Sequence, residues 1–310
     1  MNFQQLRIIR ETARRNYNLT EVASALYTSQ SGVSKHIKDL EDELGVELFV
    51  RRGKRLLGMT EPGKELLPIV ERMLHDAANV RRLAEQFANR DEGRLSIVTT
   101  HTQARYKLPE LVAAFRADFP KVHLELHQSD PPGIVAQLVE GEADIGIATE
   151  ALAQAPELVS FPWYSWHHAV VVPVEHRLAK APRLTLPMIA EYPIVTYHEA
   201  FAGRRKLDSA FAAAGLSPDV VLAAIDSDVI KTYVELGLGI GIIAPVAYDP
   251  QRDRNLALLP CDHLFASNTT SIALRRGHYL RSFGYAFLQR CLPELTPQAV
   301  REQLLPGAAP

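Results

Sequence analysis

The sequence predicts an α/β chain in three parts: an N-terminal winged helix-turn-helix over residues 1–59, a long linker helix over 60–90, and a body of two α/β subdomains over 91–310. Three observations predict it. Two short apolar patterns joined by a three-residue turn mark a helix pair near the start. Leu66, Val70, Met73, Ala77, Val80, Ala84 and Phe87 then recur alternately four and three apart, the seam of a pairing helix. Beyond Gly93, strand and helix patterns alternate to the end of the chain.

The first helix carries Phe3, Leu6, Ile9 and Ala13 as one stripe. Asn18 is placed to cap a second helix, with Glu21 as its reciprocal partner, and Leu19, Val22, Ala23 and Leu26 face inward. Tyr27-Thr28-Ser29 makes the turn. A third helix buries Val33, Ile37, Leu40 and Leu44 and stops at Gly45. Its other face holds Gln30, Ser31, Ser34, Lys35 and Lys38: short hydrogen-bonders near the N-terminus, which reach base edges in a recognition helix, and lysines beyond, which suit phosphates. From this pattern alone, a helical hairpin with a solvated polar face remains the rival reading. Val46–Val50, the basic run Arg51-Arg52-Gly53-Lys54-Arg55 and Leu56–Thr60 then read as strand, turn and strand, a wing whose cations can grip a backbone. Thr60 caps the linker helix with Pro62 in its first turn. Pro68, inside the seam, predicts a kink or a late start.

Composition sets the bounds. At 310 residues, 47% hydrophobic and 23% charged, the chain has room for packed cores and is not wholly disordered. No run of about 18 apolar residues predicts a membrane span. The start, MNFQQLRIIRETARR, has charges within its first apolar stretch, unlike a signal peptide, so a cytoplasmic location is expected. Cys261 and Cys291 make no disulfide framework and have no metal-like neighbours; no metal and no cofactor are expected. Residues 1–58 hold 10 Lys and Arg against 7 acids, +3 within a chain of net charge −2, so the remainder is −5. Random drift gives such a split too, but a basic head on an acidic body suits a polyanion partner.

In the body, Leu95–Thr99, Val122–Gln128 and Ile145–Thr149 read as strands around helices Pro109–Asp118 and Ile134–Glu140, the order of a parallel, doubly wound sheet. A second set follows from near Phe161: strands Ala169–Pro173, Ile194–Tyr197 and Val220–Ile225, and helices Arg204–Ala214 and Val229–Leu236. Strand Ser271–Leu274 and helix Tyr279–Cys291 close the chain. The first subdomain is expected over about 91–161 and 267–310, the second over about 162–266, with a ligand cleft between them. Gly237-Leu238-Gly239-Ile240-Gly241 follows a helix and leads into a strand, the reverse of a dinucleotide loop, and reads as a tight turn.

The stretch Thr99-Thr100-His101-Thr102-Gln103-Ala104-Arg105-Tyr106 leaves a strand and enters a helix. Hydroxyls, an amide and free N–H groups at a helix N-terminus make an anion site of neutral donors, into which Thr149 should open; simple helix capping is the plainer alternative. No catalytic residues stand out. His167 and His168 point to opposite faces, there is no Gly-x-Ser-x-Gly or His-Glu-x-x-His, and Glu150 has no nucleophile partner, so an enzyme is not expected. A bare solute-binding protein would not need residues 1–59.

The run Ala23-x-x-Leu26-x-x-Ser29-Gln30-x-x-x-Ser34-x-x-Ile37-x-x-Leu40-Glu41-x-x-Leu44-Gly45, followed by Leu48-Phe49-x-Arg51 and Thr60-x-x-Gly63, resembles the N-terminal domain of LysR-type transcriptional regulators. Further stretches narrow this to a CysB/Cbl-like branch: Thr99–Tyr106, Ala148–Leu152, Gly203–Phe211, Asp228–Val234, Tyr27–Gln30 and Leu280-Arg281-Ser282. The resemblance implies a body like that of periplasmic binding proteins. It implies double-stranded DNA as partner, held by Thr28, Gln30, Ser31, Ser34, Lys35, Lys38, Arg51, Arg52 and Lys54. It implies pairing through the linker helix into a homodimer and tetramer, with RNA polymerase as a further partner of an activator. The function implied is control of sulfur assimilation by a small anionic effector of the sulfate, adenylyl sulfate or acetylserine class; a regulator of another pathway sensing a small carboxylate is the alternative. Thr100, Thr102, Gln103 and Thr149 would hold the effector, with Trp166 at the cleft mouth in the second subdomain. Ala202 stands where the branch often has a threonine, which removes one donor and bears on effector identity; His198 and Glu199 beside it are either new contacts or a solvent-facing loop.

Overall fold

The computed structural model describes residues 1–53, 55–89, 91–149, 151–199 and 201–304, so Lys54, Glu150 and the side chain of Ala202 lie outside the described residues. The chain forms two compact units, Met1–Ala84 and a second beginning at Glu85.

The first unit opens with helices α1 (Phe3–Arg14), α2 (Leu19–Ala25) and α3 (Gln30–Leu44). Ile8, Ile9, Leu19, Val22, Ala23, Val33, Ile37 and Leu40 form its core with Leu48, Phe49, Leu56 and Met59. Phe3 and Leu44 are instead 52% and 39% exposed. Each lies at a helix end, Phe3 opening α1 and Leu44 closing α3, beyond the turns that pack. Asn18 caps α2, accepting from the Thr20 and Glu21 N–H groups. Glu21 answers the Asn18 side-chain amide at 2.7 Å, not the cap's backbone N–H as expected, because that N–H already donates to Arg15 O. Strands β1 (Phe49–Arg52) and β2 (Arg55–Met59) pair antiparallel as the wing. The first strand starts later than expected: the Leu48 and Phe49 N–H groups donate to the buried Glu41 carboxylate at 2.8 and 3.2 Å. Helix α4 (Glu61–Ala88) begins well before Pro68, so no late start occurs; the Gly63 N–H donates to Thr60 Oγ1 at 3.1 Å. Gly63 is required there, since a Cβ would lie 2.2 Å from Leu48 O. Val70 and Leu74 pack on Leu6, whereas Val80 and Phe87, on the same seam, are 67% and 84% exposed.

The second unit contains two five-stranded sheets. Strands β3 (Gly93–Thr99), β4 (Val122–Gln128), β5 (Ile145–Thr149), β6 (Leu158–Trp166) and β12 (Asn268–Arg275) lie in the order β4-β3-β5-β12-β6. Strands β7 (Ala169–Pro173), β8 (Ile194–Tyr197), β9 (Val220–Ala224), β10 (Ile240–Ile243) and β11 (Leu256–Pro260) lie in the order β9-β8-β10-β7-β11. The expectation of parallel sheets is corrected: β12 runs antiparallel to β5 and β6, and β7 to β10 and β11. The cause is the double crossing. The chain leaves β6 and β11 at their carboxyl ends and passes into the other sheet without a helix between, so it enters β7 and β12 from the end where the parallel strands finish. The expected subdomain boundary also moves. β6 pairs with β12 as far as Trp166, opposite Asn268, so residues 162–166 belong to the first sheet and Trp166 is not in the second subdomain.

Helices α5 (Leu108–Asp118), α6 (Pro131–Glu140), α10 (Ser282–Cys291) and α11 (Pro297–Leu304) go with the first lobe, and α7 (Leu186–Ala190), α8 (Ala202–Ala213) and α9 (Ser227–Glu235) with the second. Phe115, Phe283 and Phe287 centre the core against β3 and β5; Ile194, Leu207, Phe211 and Ile240 centre its counterpart. The glycine run is the tight turn expected before β10: Gly237 has φ of +79°, and a Cβ at Gly239 would lie 2.2 Å from Pro193 O.

Candidate effector cleft and nucleic-acid interface

Strand β3 ends at Thr99, whose hydroxyl donates to Ile147 O at 2.9 Å and so ties the ends of β3 and β5 together. The chain then turns into a helix, the Ala104 N–H donating to Thr100 O at 3.1 Å. Gln103–Lys107 forms a π-helical turn, a local widening common at functional sites, and runs on into α5. Thr102 stands before this turn and its side chain makes no capping bond, which weighs against simple capping. The adjoining cleft is lined by Thr100, Thr102, Gln103 and Thr149, the four residues expected to hold an effector, and by Trp166, expected at its mouth. Ala202 lies at the start of α8, beside Phe201 and Gly203, which line the cleft. His198 and Glu199 are exposed and are not on the wall.

Hydrogen bonds behind the wall fix these side chains. Thr149 Oγ1 lies 3.3 Å from Thr270 Oγ1, and Trp166 Nε1 donates to Thr270 Oγ1 at 3.1 Å. Tyr164 OH donates to Gln103 Oε1 at 2.7 Å. The second lobe adds Tyr197, Phe201, Gly203, Ile225 and Ala244 to the wall, and Pro131 comes from α6. Burial pushes the Tyr197 phenol up; its oxygen accepts from the Ala244 N–H at 3.0 Å and lies 2.6 Å from Ser227 Oγ. None of the described lining residues carries a charge. The positive end of the α8 dipole is left open, since Phe201 provides no side-chain cap. Neutral donors with open helix N-termini suit an oxyanion. Tyr164, Tyr197 and Thr270 were not singled out from the sequence, though Tyr197 ends a strand as Thr149 does, and that position was the available signal.

Next to the cleft, His101, Arg105 and Tyr106 of the first lobe converge on Asp228 at the start of α9, at 3.0, 2.7 and 2.5 Å. Lys231 donates to Tyr106 OH at 3.1 Å and pairs with Asp253 at 2.9 Å. Burial alone would push Asp228 up, but hydrogen bonds from Tyr106 and His101 and the charges of Arg105 and Lys231 outweigh it and hold the carboxyl below its ordinary value. His101, Asp226 and Asp228 bring ligand atoms within 4.8 Å of one another, yet with two cations on Asp228 the cluster is an ion-pair network and a poor cation site.

In the first unit, Gln30, Ser31, Lys35 and Lys38 lie exposed on one side of α3, while Thr28 and Ser34 are half-buried. Ser29 caps the helix, accepting from the Gly32 N–H at 3.1 Å. On the wing, Arg52 is exposed, whereas Arg51 pairs with the buried Glu41 at 2.8 Å and so braces the wing against α3.

Residues 3–64 match the family model described as bacterial regulatory helix-turn-helix protein, lysR family, and residues 88–296 match LysR substrate binding domain. The chain is 59% identical to the HTH-type transcriptional regulator SsuR of Burkholderia cenocepacia, over 95% of this chain and 96% of the relative. It is 56% identical to the HTH-type transcriptional regulator cbl of Escherichia coli K12, over 98% of this chain and 96% of the relative. The crystal structure of the cofactor-binding domain of the Cbl transcriptional regulator superposes with a TM-score of 0.66 at 49% identity, covering 69% of this chain and 93% of that one.

Proposed function

The chain belongs to the LysR family of bacterial regulatory helix-turn-helix proteins, and from that premise we propose that it activates genes of sulfur assimilation in response to a small anionic effector of the sulfate, adenylyl sulfate or acetylserine class held in the cleft. The observation that carries the effector class is the convergence of Thr100, Thr102, Gln103, Thr149 and Trp166 on one uncharged wall. Such a wall neutralises a compact anion with hydrogen bonds and helix dipoles and leaves no fixed cation to favour a larger polyanion. The kinship with SsuR and Cbl supports the sulfur reading.

On the DNA side, Gln30 and Ser31 at the N-terminus of α3 reach base edges in the major groove, and Thr28, Ser34, Lys35 and Lys38 hold the flanking backbone. The exposed Val80 and Phe87 of α4 pair with a second copy, which sets two recognition helices on a partly palindromic site, and two dimers assemble as a tetramer. Effector binding then resets the arrangement on DNA to the extent that it favours one closure of the lobes over the other.

Calorimetric titration of the full chain with sulfate, thiosulfate, adenylyl sulfate, O-acetylserine and N-acetylserine, beside acetate and succinate, tests the effector class. Saturable binding within the sulfur-related set and none to the plain carboxylates is expected. Preference for the carboxylates overturns the reading, as does failure to bind duplex DNA at moderate salt.

A further inference from the structure

We infer that Tyr164 sets the effector selectivity of the cleft, by holding the Gln103 amide so that it offers its N–H groups and not its oxygen; this rests on the oxyanion reading above. Tyr164 is carried on β6 and is not part of the wall, whereas Gln103 lines the cleft and is only 3% exposed. The Tyr164 hydroxyl donates to Gln103 Oε1 at 2.7 Å. A primary amide has an acceptor at one end and two donors at the other. With the oxygen turned to Tyr164, the Nε2 hydrogens are the end left for a bound anion.

The neighbouring side chains belong to the same hydrogen-bonded network. An indole N–H can only donate, and that of Trp166 goes to Thr270 Oγ1 at 3.1 Å. Thr270 is fully buried, lies 3.3 Å from Thr149 Oγ1, where either hydroxyl can donate, and also hydrogen-bonds the Tyr164 hydroxyl. The amide oxygen of Gln103 is the one pure side-chain acceptor among the described wall residues, and Tyr164 occupies it.

Such a wall distinguishes two tetrahedral anions of nearly equal size. Sulfate and sulfonates present acceptors only. Hydrogen phosphate carries an O–H, and where that O–H meets a donor both hydrogens go unpaired in a buried place. Tyr164 thus makes the cleft favour the fully ionised oxyanion.

The test is calorimetric titration of the full-length wild type, Tyr164→Phe, Gln103→Ala and the double variant with sodium sulfate and with sodium phosphate at neutral pH. Tyr164→Phe is expected to lower the ratio of sulfate to phosphate affinity about fivefold, because the released amide can turn its oxygen toward the phosphate O–H. In the Gln103→Ala background the same substitution is expected to leave the ratio unchanged. Gln103→Glu, which keeps the size but removes the donors, is expected to abolish sulfate binding. A ratio unmoved by Tyr164→Phe, or moved equally without Gln103, overturns the inference while leaving the oxyanion reading intact. A wild type that ignores sulfate and every other ligand of the sulfur-related set overturns both.

Discussion

His168 shows how a single buried side chain links packing to solution conditions. It sits where the chain crosses from β6 to β7, with its ring edge-on to Trp166 and to Phe265. Asn268, at the return crossing, places its amide nitrogen 3.4 Å from His168 Nδ1. Burial, helped by the charge of Lys206, lowers the imidazole to about 4 from its ordinary 6.5. Below 6.5 the unfolded chain therefore takes up a proton that the folded chain refuses. The stability this group supplies is complete above that value and is lost as pH falls toward 4, by about 3 kcal/mol in all. Urea unfolding at pH 7 and pH 4.5 is expected to show a smaller acid loss for His168→Gln than for the wild type; equal losses would mean that His168 is not held neutral. The sequence disclosed little of this. It marked His167-His168 as adjacent and facing opposite ways, but which of the two would be buried depends on a crossing that local pattern does not encode. Thr100, Gln103 and Thr149 were legible because strand ends followed by hydroxyls and helix starts have a recognisable spelling. Tyr164 and Thr270 were not, since a residue that acts from behind a wall has no spelling of its own.

Among the elements, the proposed DNA interface divides between α3 and the wing. Gln30 and Ser31 open α3 and are exposed, and neither brings a charge. Arg52 is exposed on the wing, while Arg51 is committed to Glu41. Gln30→Ala is accordingly expected to change which bases are tolerated in a selection from random duplexes, with a penalty at the contacted step of about 1–3 kcal/mol. Arg52→Ala is expected to weaken binding evenly across sequences and to reduce the salt slope by about one. Identical sequence profiles for the two variants would refute this division of tasks. Most helices and central strands could be read from periodicity because their apolar residues face one core. The two strands that escaped are both sheet edges. β6 contains Pro162 and β11 ends in Pro260, and proline counts against a strand by pattern although an edge tolerates it. The reversed direction of β7 and β12 was equally hidden, being a property of how two sheets share one chain.

For the whole molecule, a signal from the cleft requires two lobes that can stand in more than one arrangement, and Asp228 is where the lobes are tied. Its carboxylate receives His101, Arg105 and Tyr106 from the helix that also carries Thr102 and Gln103, so the tie and the effector wall share one short segment. Lys231 and Asp253 anchor the far side of the network within the second lobe. Removing the carboxylate by Asp228→Ala leaves Arg105 and Lys231 without the charge they share and deletes a charged link between the lobes. The arrangement in which the lobes are tied then becomes a minor one, and a ligand that binds that arrangement pays for repopulating it. The variant is expected to bind effector at least about fivefold more weakly, with the cleft side chains unchanged, and to show a larger radius of gyration by small-angle scattering when free. Saturating effector is expected to restore the wild-type radius, because binding energy replaces the lost tie. An unaltered radius together with unaltered affinity would show that the network merely decorates a body already rigid.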